Sequence, residues 1–387
     1  MHALHFIDQN RVIASGDSDG WVIIWSIITK RALLAWKAHE GAILGLSAWT
    51  EAKLFTHGRD NRLSVWDIDS KQYEAMPAML PIDRAEAKGR KPWLLHSLTV
   101  NALNFCPFTW CPVLASEGRA RAEIIVAVPA SKDSNAIDIW ALPVEKKVGS
   151  ISAIKETQTG MVMQLCLQAD DQGISLVAGF ESGHVAVWRG RIEDSGFVYE
   201  MKYMHHTHTQ PILGLDVHRE TNRFLSSAAD ALVAKHILLP DETDVNPLPL
   251  SRNSKHAGQQ GLKIRDDGKI FATAGWDGRV RVYSIKTLAE LACLKWHKEG
   301  CYSVAFPRAV EIPENASKID IVKKDDVQDL EASLVLNLED PPSFAVAKSA
   351  LPGALSVIKL ERERREMVKH WLAVGSKDGK VSLWDIF

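Results

Sequence analysis

Short segments in which every second residue is apolar recur along the chain: HALHFI from His2, ILGLSAW from Ile43, VNALNF from Val100, VMQLCL from Val162, ILGLDV from Ile212 and YSVAF from Tyr302, with a poorer copy from Gly261 to Arg265. Period-two alternation is the mark of a strand with one buried face. After each comes a second unit: small residues, a tight turn, another alternating strand and a closing aromatic. SGDSDGWVIIW, THGRDNRLSVW, AGFESGHVAVW, TAGWDGRVRVY and VGSKDGKVSLW are the clear copies, and SKDSNAIDIW and SSAADALVAKH the weak ones.

The closing positions are Trp25, Trp66, Trp140, Trp188, His236, Tyr283 and Trp384, at intervals of 41, 74, 48, 48, 47 and 101 residues. A period near 40–45 residues ending in Trp-Asp marks the blades of a WD-repeat propeller. The spacing therefore predicts an all-β, seven-bladed WD40 β-propeller over residues 1–387, with little helix and with insertions at about 69–98 and 307–370. The first insertion includes the basic stretch RAEAKGRKP, read as a solvated loop. The second opens on acidic KKDDVQDLEAS and ends in KLERERREMVKH, a composition that suits a partly disordered arm with a charged helical or extended end.

The last blade is expected to lack its outer strand, because the chain begins on the first blade's inner strand and ends on the last blade's third. An open edge there, from Val381 to Ile386, would expose backbone donors and acceptors. The favoured explanation is translation from a start upstream of Met1, and the alternative is a covering strand from Ser356 to Leu360.

Five histidines precede an inner strand: His39, His96, His208, His256 and His297. In the second blade His39, Thr56, Asp60 and Trp66 are spaced to join turn carboxylate, imidazole, strand hydroxyl and indole in one buried network, whose role is rigidity. Partial sets are Ser15, Asp19 and Trp25; His256, Thr273, Asp277 and Tyr283; and His297, Asp378 and Trp384, where Val374 replaces the hydroxyl. These residues resemble a hydrolase triad in type alone. A triad needs an exposed nucleophile beside an oxyanion hole, and a catalytic site rarely recurs from blade to blade.

Composition adds constraints. With 46% apolar and 24% charged residues the chain suits a globular protein, and a net charge of −2 offers no general field for a polyanion. No direct nucleic-acid partner is predicted. No apolar run reaches the length that spans a bilayer. The five cysteines form no CxxC pair and read as reduced core fillers. His205, His206 and His208 fall between strands without a convincing fourth ligand, so no metal and no cofactor are expected. The phosphate-loop, dinucleotide, zinc-protease and nucleophile-elbow signatures are missing.

HALHFIDQNRVIASGDSDGWVIIW, WKAHEGAILGLSAW with THGRDNRLSVWDI, and HWLAVGSKDGKVSLWDIF resemble the fungal ASTRA-associated protein 1 family. The resemblance spans Met1 to Phe387 but is specific in these terminal stretches and weak in the insertions. It implies a nuclear, non-catalytic subunit of the ASTRA assembly, in company with RuvB-like AAA+ ATPases, a phosphatidylinositol-kinase-related protein and the co-chaperones that mature such kinases. Chromatin remodelling is the role it implies. The alternative is a substrate receptor for a cullin-type ubiquitin ligase, against which stand WDID and WDIF where Trp-Asp-x-Arg is usual.

Partner contacts are expected on the face carrying the tight turns, through the residue before each Asp-like position: Ser18, Arg59, Asp133, Glu181, Ala229, Trp276 and Lys377. Arg59 and Trp276 stand out, since Arg and Trp are enriched at interface hot spots. Glu181 and Lys377 complete the candidate set.

Overall fold

The chain's inner-strand and turn-strand repeats fold into antiparallel sheets set around a central channel. The structure is a computed structural model. It describes residues 1–69, 90–101, 105–113, 123–194, 196–218, 220–240, 247–308, 362, 365, 366 and 369–386.

From inside to outside, blade 1 is β1 (Ala3–Ile7), β2 (Val12–Gly16), β3 (Trp21–Ser26) and β4 (Ala32–Lys37). Blade 2 is β5 (Ile43–Thr50), β6 (Lys53–Gly58), β7 (Arg62–Asp67) and β8 (Trp93–Thr99). Blade 3 is β9 (Thr109–Pro112), β10 (Ile124–Pro129), β11 (Ile137–Leu142) and β12 (Lys146–Ile151). Blade 4 is β13 (Val162–Asp170), β14 (Gly173–Phe180), β15 (His184–Glu193) and β16 (Gly196–His206). Blade 5 is β17 (Ile212–His218), β18 (Arg223–Ala228), β19 (Leu232–Ile237) and β20 (Leu250–Asn253). Blade 6 is β21 (Gln259–Ile264), β22 (Ile270–Gly275), β23 (Arg279–Ser284) and β24 (Glu290–Lys295). Blade 7 is β25 (Cys301–Ala305), β26 (Trp371–Ser376) and β27 (Val381–Asp385).

The alternation has a direct structural consequence. Each sheet buries both faces, and the buried apolar residues fall into seven clusters, each shared by two neighbouring blades. Between blades 1 and 2, Trp36 meets Trp66 edge-on at 6.1 Å. Between blades 7 and 1, Leu4, Phe6 and Ile13 pack on Trp371 and Ala373, which closes the ring. Burial of apolar area on this scale is the dominant stabilising term.

Among the described residues β27 has no partner on its outer side, so the last blade has three strands. The Met1 amine donates to the Ser376 carbonyl at 2.6 Å, fixing the first residue beside the same blade. Ser356 to Leu360, the alternative covering strand raised by the sequence, lies outside the described residues, as does most of the second insertion. Of that insertion's distal part Arg362, Arg365 and Glu366 are described, and they are helical.

Two details differ from the sequence reading. The inner strand of blade 3 is β9, paired Thr109 to Ala127 and Pro112 to Ile124, and not VNALNF. Val100 and Asn101 instead lead in from the outer strand of blade 2, where Val100 N–H donates to the Asn61 carbonyl. The first insertion also ends earlier than expected, because Trp93 to Leu98 belong to β8 and pair with β7. Leu98 sits under the fold while Trp93, Leu94 and Leu95 are exposed, which hides the strand from a pattern search.

Candidate protein-binding face

The turns joining the second and third strands of each blade carry the candidate contacts, and buried networks hold those turns. In blade 2 Trp66 Nε1–H donates to Thr56 Oγ1 at 2.8 Å, Thr56 donates to His39 Nε2 at 2.7 Å, and His39 Nδ1–H donates to Asp60 Oδ1 at 2.8 Å. Asp60 also accepts the Glu40 N–H at 2.9 Å. Every group is satisfied with a neutral imidazole. Burial accordingly holds the His39 pKa below its ordinary value against the pull of Asp60.

Blade 5 builds the same relay from different residues. His236 stands in the indole position and bonds Ser226 Oγ at 2.8 Å, Ser226 bonds His208 Nε2 at 2.9 Å, and His208 Nδ1 reaches Asp230 at 3.1 Å. The Tyr203 hydroxyl donates to the far side of His236 at 3.1 Å. His208 is thus buried network, while His205 and His206 lie at the end of β16 rather than in a loop. Among the described residues no cluster of His, Cys, Asp or Glu is arranged to hold a metal.

Blade 7 lacks the usual hydroxyl at Val374, and Ser382, directly opposite on β27, supplies it. Trp384 Nε1–H donates to Ser382 Oγ at 2.9 Å, Ser382 contacts His297 Nε2 at 2.9 Å, and His297 Nδ1 lies 3.1 Å from Asp378. Ser382→Ala is expected to cost about 1–2 kcal/mol, the penalty for leaving partly buried donors and acceptors unpaired. A second change, Val374→Thr, returns a hydroxyl to the same space and is expected to recover part of that loss in urea denaturation.

The remaining sets depart from the predicted pattern. In blade 1 Trp25 donates to Ser15 at 2.8 Å, but Asp19 is exposed and Asp17 caps the turn by accepting from the Asp19 and Trp21 N–H groups. In blade 6 the His256 ring does not enter the network. Gln259 replaces it by accepting from Thr273 at 2.6 Å, and Asp277 pairs with Arg281 at 2.6 Å. Tyr283 packs flat on Phe271 at 5.0 Å, and burial pushes its phenol up to about 12. In blade 3 Asn101 occupies the place of the histidine, donating to the Ala130 carbonyl at 2.8 Å and to Ser134 at 3.2 Å, while His96 on β8 pairs with Glu145.

On this frame the pre-turn residues Ser18, Arg59, Asp133, Glu181, Trp276 and Lys377 are exposed, and Ala229 is half-buried. The Arg59 guanidinium lies 4.3 Å over the ring of Phe105, itself 52% exposed. Trp276 is held and presented at once. Its ring covers Gly258, its Nε1–H donates to Gln260 Oε1 at 2.8 Å, and 48% of it still faces solvent. Glu181 Oε2 accepts the Met161 N–H at 3.2 Å, and Lys377 is anchored by its backbone N–H on the Gly300 carbonyl at 2.9 Å.

The central channel encloses about 840 Å³ and is lined in part by His5, Cys166, Asp216, Lys263 and Arg308. Burial first, then Arg308 and Lys263, pushes the His5 pKa down to about 3, which makes it a poor base. Burial pushes the Cys166 thiol up to about 12, and its S–H donates to the Leu215 carbonyl at 3.4 Å. Burial works against the charge of Lys263, but Asp216 at 3.0 Å outweighs it and raises the Lys263 pKa. These shifts run away from catalytic use, which calls for groups poised near neutral pH. Cys166, Cys293 and Cys301 are free thiols. Among the described residues no helix is long and apolar enough to cross a membrane.

A family profile described as ASTRA-associated protein 1 matches residues 2–384 of the chain. The chain is 39% identical to ASTRA-associated protein 1 of Penicillium rubens, over 100% of its own length and 94% of that protein. It is 31% identical to the protein of that name in Schizosaccharomyces pombe, over 80% of its own length and 91% of the relative. The crystal structure of the computationally designed Ika8 protein aligns over 100% of this chain and 96% of that one, with a TM-score of 0.50 at 15% identity, a likeness of fold alone.

Proposed function

The chain belongs to the ASTRA-associated protein 1 family, and from that premise we propose that it is a non-catalytic scaffold subunit of a nuclear multiprotein assembly of the ASTRA kind, serving chromatin remodelling and the maturation of phosphatidylinositol-kinase-related proteins. Its partners in this reading are RuvB-like AAA+ ATPases, a kinase-related subunit and the co-chaperones that mature such kinases. The observation that carries it is the turn face, where Arg59 on Phe105 and Trp276 on Gly258 are exposed yet fixed. Side chains ordered before binding lose little entropy on binding, and rigid Arg and Trp anchors are what hot spots are made of. The channel supports the non-catalytic part, since His5 and Cys166 are shifted out of the range of a base and a nucleophile.

Affinity capture of the tagged chain tests the reading. Capture is expected to recover the RuvB-like ATPases and the kinase-related subunit, and fractionation to place the protein in the nucleus. The Arg59→Ala, Trp276→Ala double variant is expected to weaken at least one of these contacts by about 2 kcal/mol, roughly thirtyfold in Kd. Recovery of a cullin adaptor in their place would replace the scaffold reading with the ligase one, and undiminished capture by the double variant would move the contacts off this face.

A further inference from the structure

The turn face is not uniform in charge. Between blades 6 and 7 it gathers Arg279, Lys295, Lys298, Lys377 and Lys380, all exposed, around Trp276 and Trp296, which are 48% and 55% exposed. These side chains are brought together by the fold and not by the sequence. Arg279 and Lys295 face each other directly across β23 and β24. The loop carrying Trp296 and Lys298 lies against Gly278, whose added Cβ would meet the Glu299 carbonyl at 3.0 Å and the His297 carbonyl at 3.1 Å. Lys377 is tied to the end of that loop through Gly300, and Lys380 Nζ sits 5.5 Å from the centre of the Trp296 ring.

None of the five cations forms an ion pair among the described residues. The nearby carboxylates are committed elsewhere: Asp277 to Arg281, Asp378 to His297. Glu299 is the remaining acidic side chain of the loop. Like charges directly opposite on adjacent strands are destabilising, so the Arg279 and Lys295 pair is a cost that the folded chain carries without an internal counter-charge. In a chain of net charge −2 this is a local concentration of charge and not a general excess.

We propose that this blade 6 and blade 7 sector binds an acidic peptide segment of a partner protein, its carboxylates on the five cations and an apolar side chain against Trp276. The proposal rests on the scaffold reading and gives one of its contacts a chemistry. A nucleic acid fits less well. Specific binding to phosphate backbones commonly draws on roughly 6–10 contacts, and base stacking needs an open aromatic face. Lys380 lies over one face of the Trp296 ring, which His297 abuts edge-on at 4.8 Å, and one face of Trp276 lies on Gly258.

Fluorescence anisotropy tests this with three chains: wild type, Lys298→Glu with Lys377→Glu and Lys380→Glu, and a control with Lys146→Glu, Lys147→Glu and Lys202→Glu on outer strands of blades 3 and 4. The probes are a fluorescent glutamate-rich peptide with a central phenylalanine and a poly-dT oligonucleotide of equal charge. The peptide is expected to bind wild type and control alike and the sector variant at least tenfold more weakly, with circular dichroism showing all three folded. Trp276→Ala is expected to weaken the peptide but not a phenylalanine-free version of it. Equal peptide binding by all three chains, or no binding by wild type, overturns the proposal, as does tighter binding of poly-dT with loss in the same variant. If the peptide result fails while affinity capture still recovers the assembly, the sector is wrong and the scaffold reading stands.

Discussion

Acidification from pH 7 to pH 4 is expected to remove several kcal/mol of stability from the propeller, and His57 is the residue expected to contribute most clearly. Its side chain is 1% exposed, in blade 2 beside Phe108. Its Nδ1 accepts the Phe108 N–H at 3.2 Å, and among the described residues its Nε2 has no hydrogen-bond partner. A proton added at Nδ1 therefore displaces a hydrogen bond and places a charge on a buried ring, at a cost that the nearby Asp60 does not offset. Burial, with a smaller push from His39, lowers the pKa from the usual 6.5 to about 3. The folded-state value lies below the unfolded one, so between these limits the unfolded chain binds more protons. Stability is then full above about pH 6.5 and falls as the pH drops towards 3. Each pH unit in that window costs about 1.4 kcal/mol per such group, or about 3 kcal/mol for His57 at pH 4. His5 and His236, also held neutral by burial, add in the same direction. His57→Gln keeps an acceptor for Phe108 without a titrating ring, and its urea-unfolding free energy is expected to decline less steeply with falling pH than that of the wild type. Parallel pH profiles for the two chains would sink the assignment.

The blade count and the complete relay of blade 2 were legible because the signals lie at fixed offsets along one strand pair. What was not legible lies across strands or between blades. Ser382 replaces the hydroxyl of blade 7 from the neighbouring strand, opposite Val374, and no reading along β26 finds it. Blade 5 looked weak because His236 stands where an indole is usual, although an imidazole offers the same N–H donor. Arg281 carries no sequence signal of burial, yet it is 1% exposed and pairs with Asp277. Asn101 could have been found by its place after β8, since Asn, like protonated-nitrogen imidazole, donates to a turn acceptor. The basic sector of blades 6 and 7 combines residues from Arg279 to Lys380, and the packing of blade 7 on blade 6 brings them together in a way that no local window contains.

The largest single-site effect is expected at a turn glycine that positions the next blade's histidine. Gly20, Gly183 and Gly278 have φ of +85°, +87° and +75°. They precede His39, His208 and His297, the three histidines whose relays are complete. The glycine carbonyl accepts the histidine N–H, at 3.2 Å for both Gly20 with His39 and Gly183 with His208. The turn of one blade thereby fixes the imidazole of the next, and rigidity passes around the ring through backbone contacts. A Cβ on Gly183 would lie 2.0 Å from the His208 carbonyl oxygen, a distance that forces the two loops apart. Gly379 is the internal control, because it has φ of +77° with nothing within 4 Å of the added atom. Gly379→Ala is expected to cost about 1–2 kcal/mol, the left-handed backbone penalty alone. Gly183→Ala is expected to cost that and the loss of the His208 relay, about 4 kcal/mol together and well above the usual range for a point change. Thermal unfolding of the two variants gives the difference. In the proton spectrum the slowly exchanging Nδ1–H of His208 is expected to vanish in Gly183→Ala and persist in Gly379→Ala. Equal losses of stability with that resonance intact in both would show that the turn does not position the histidine.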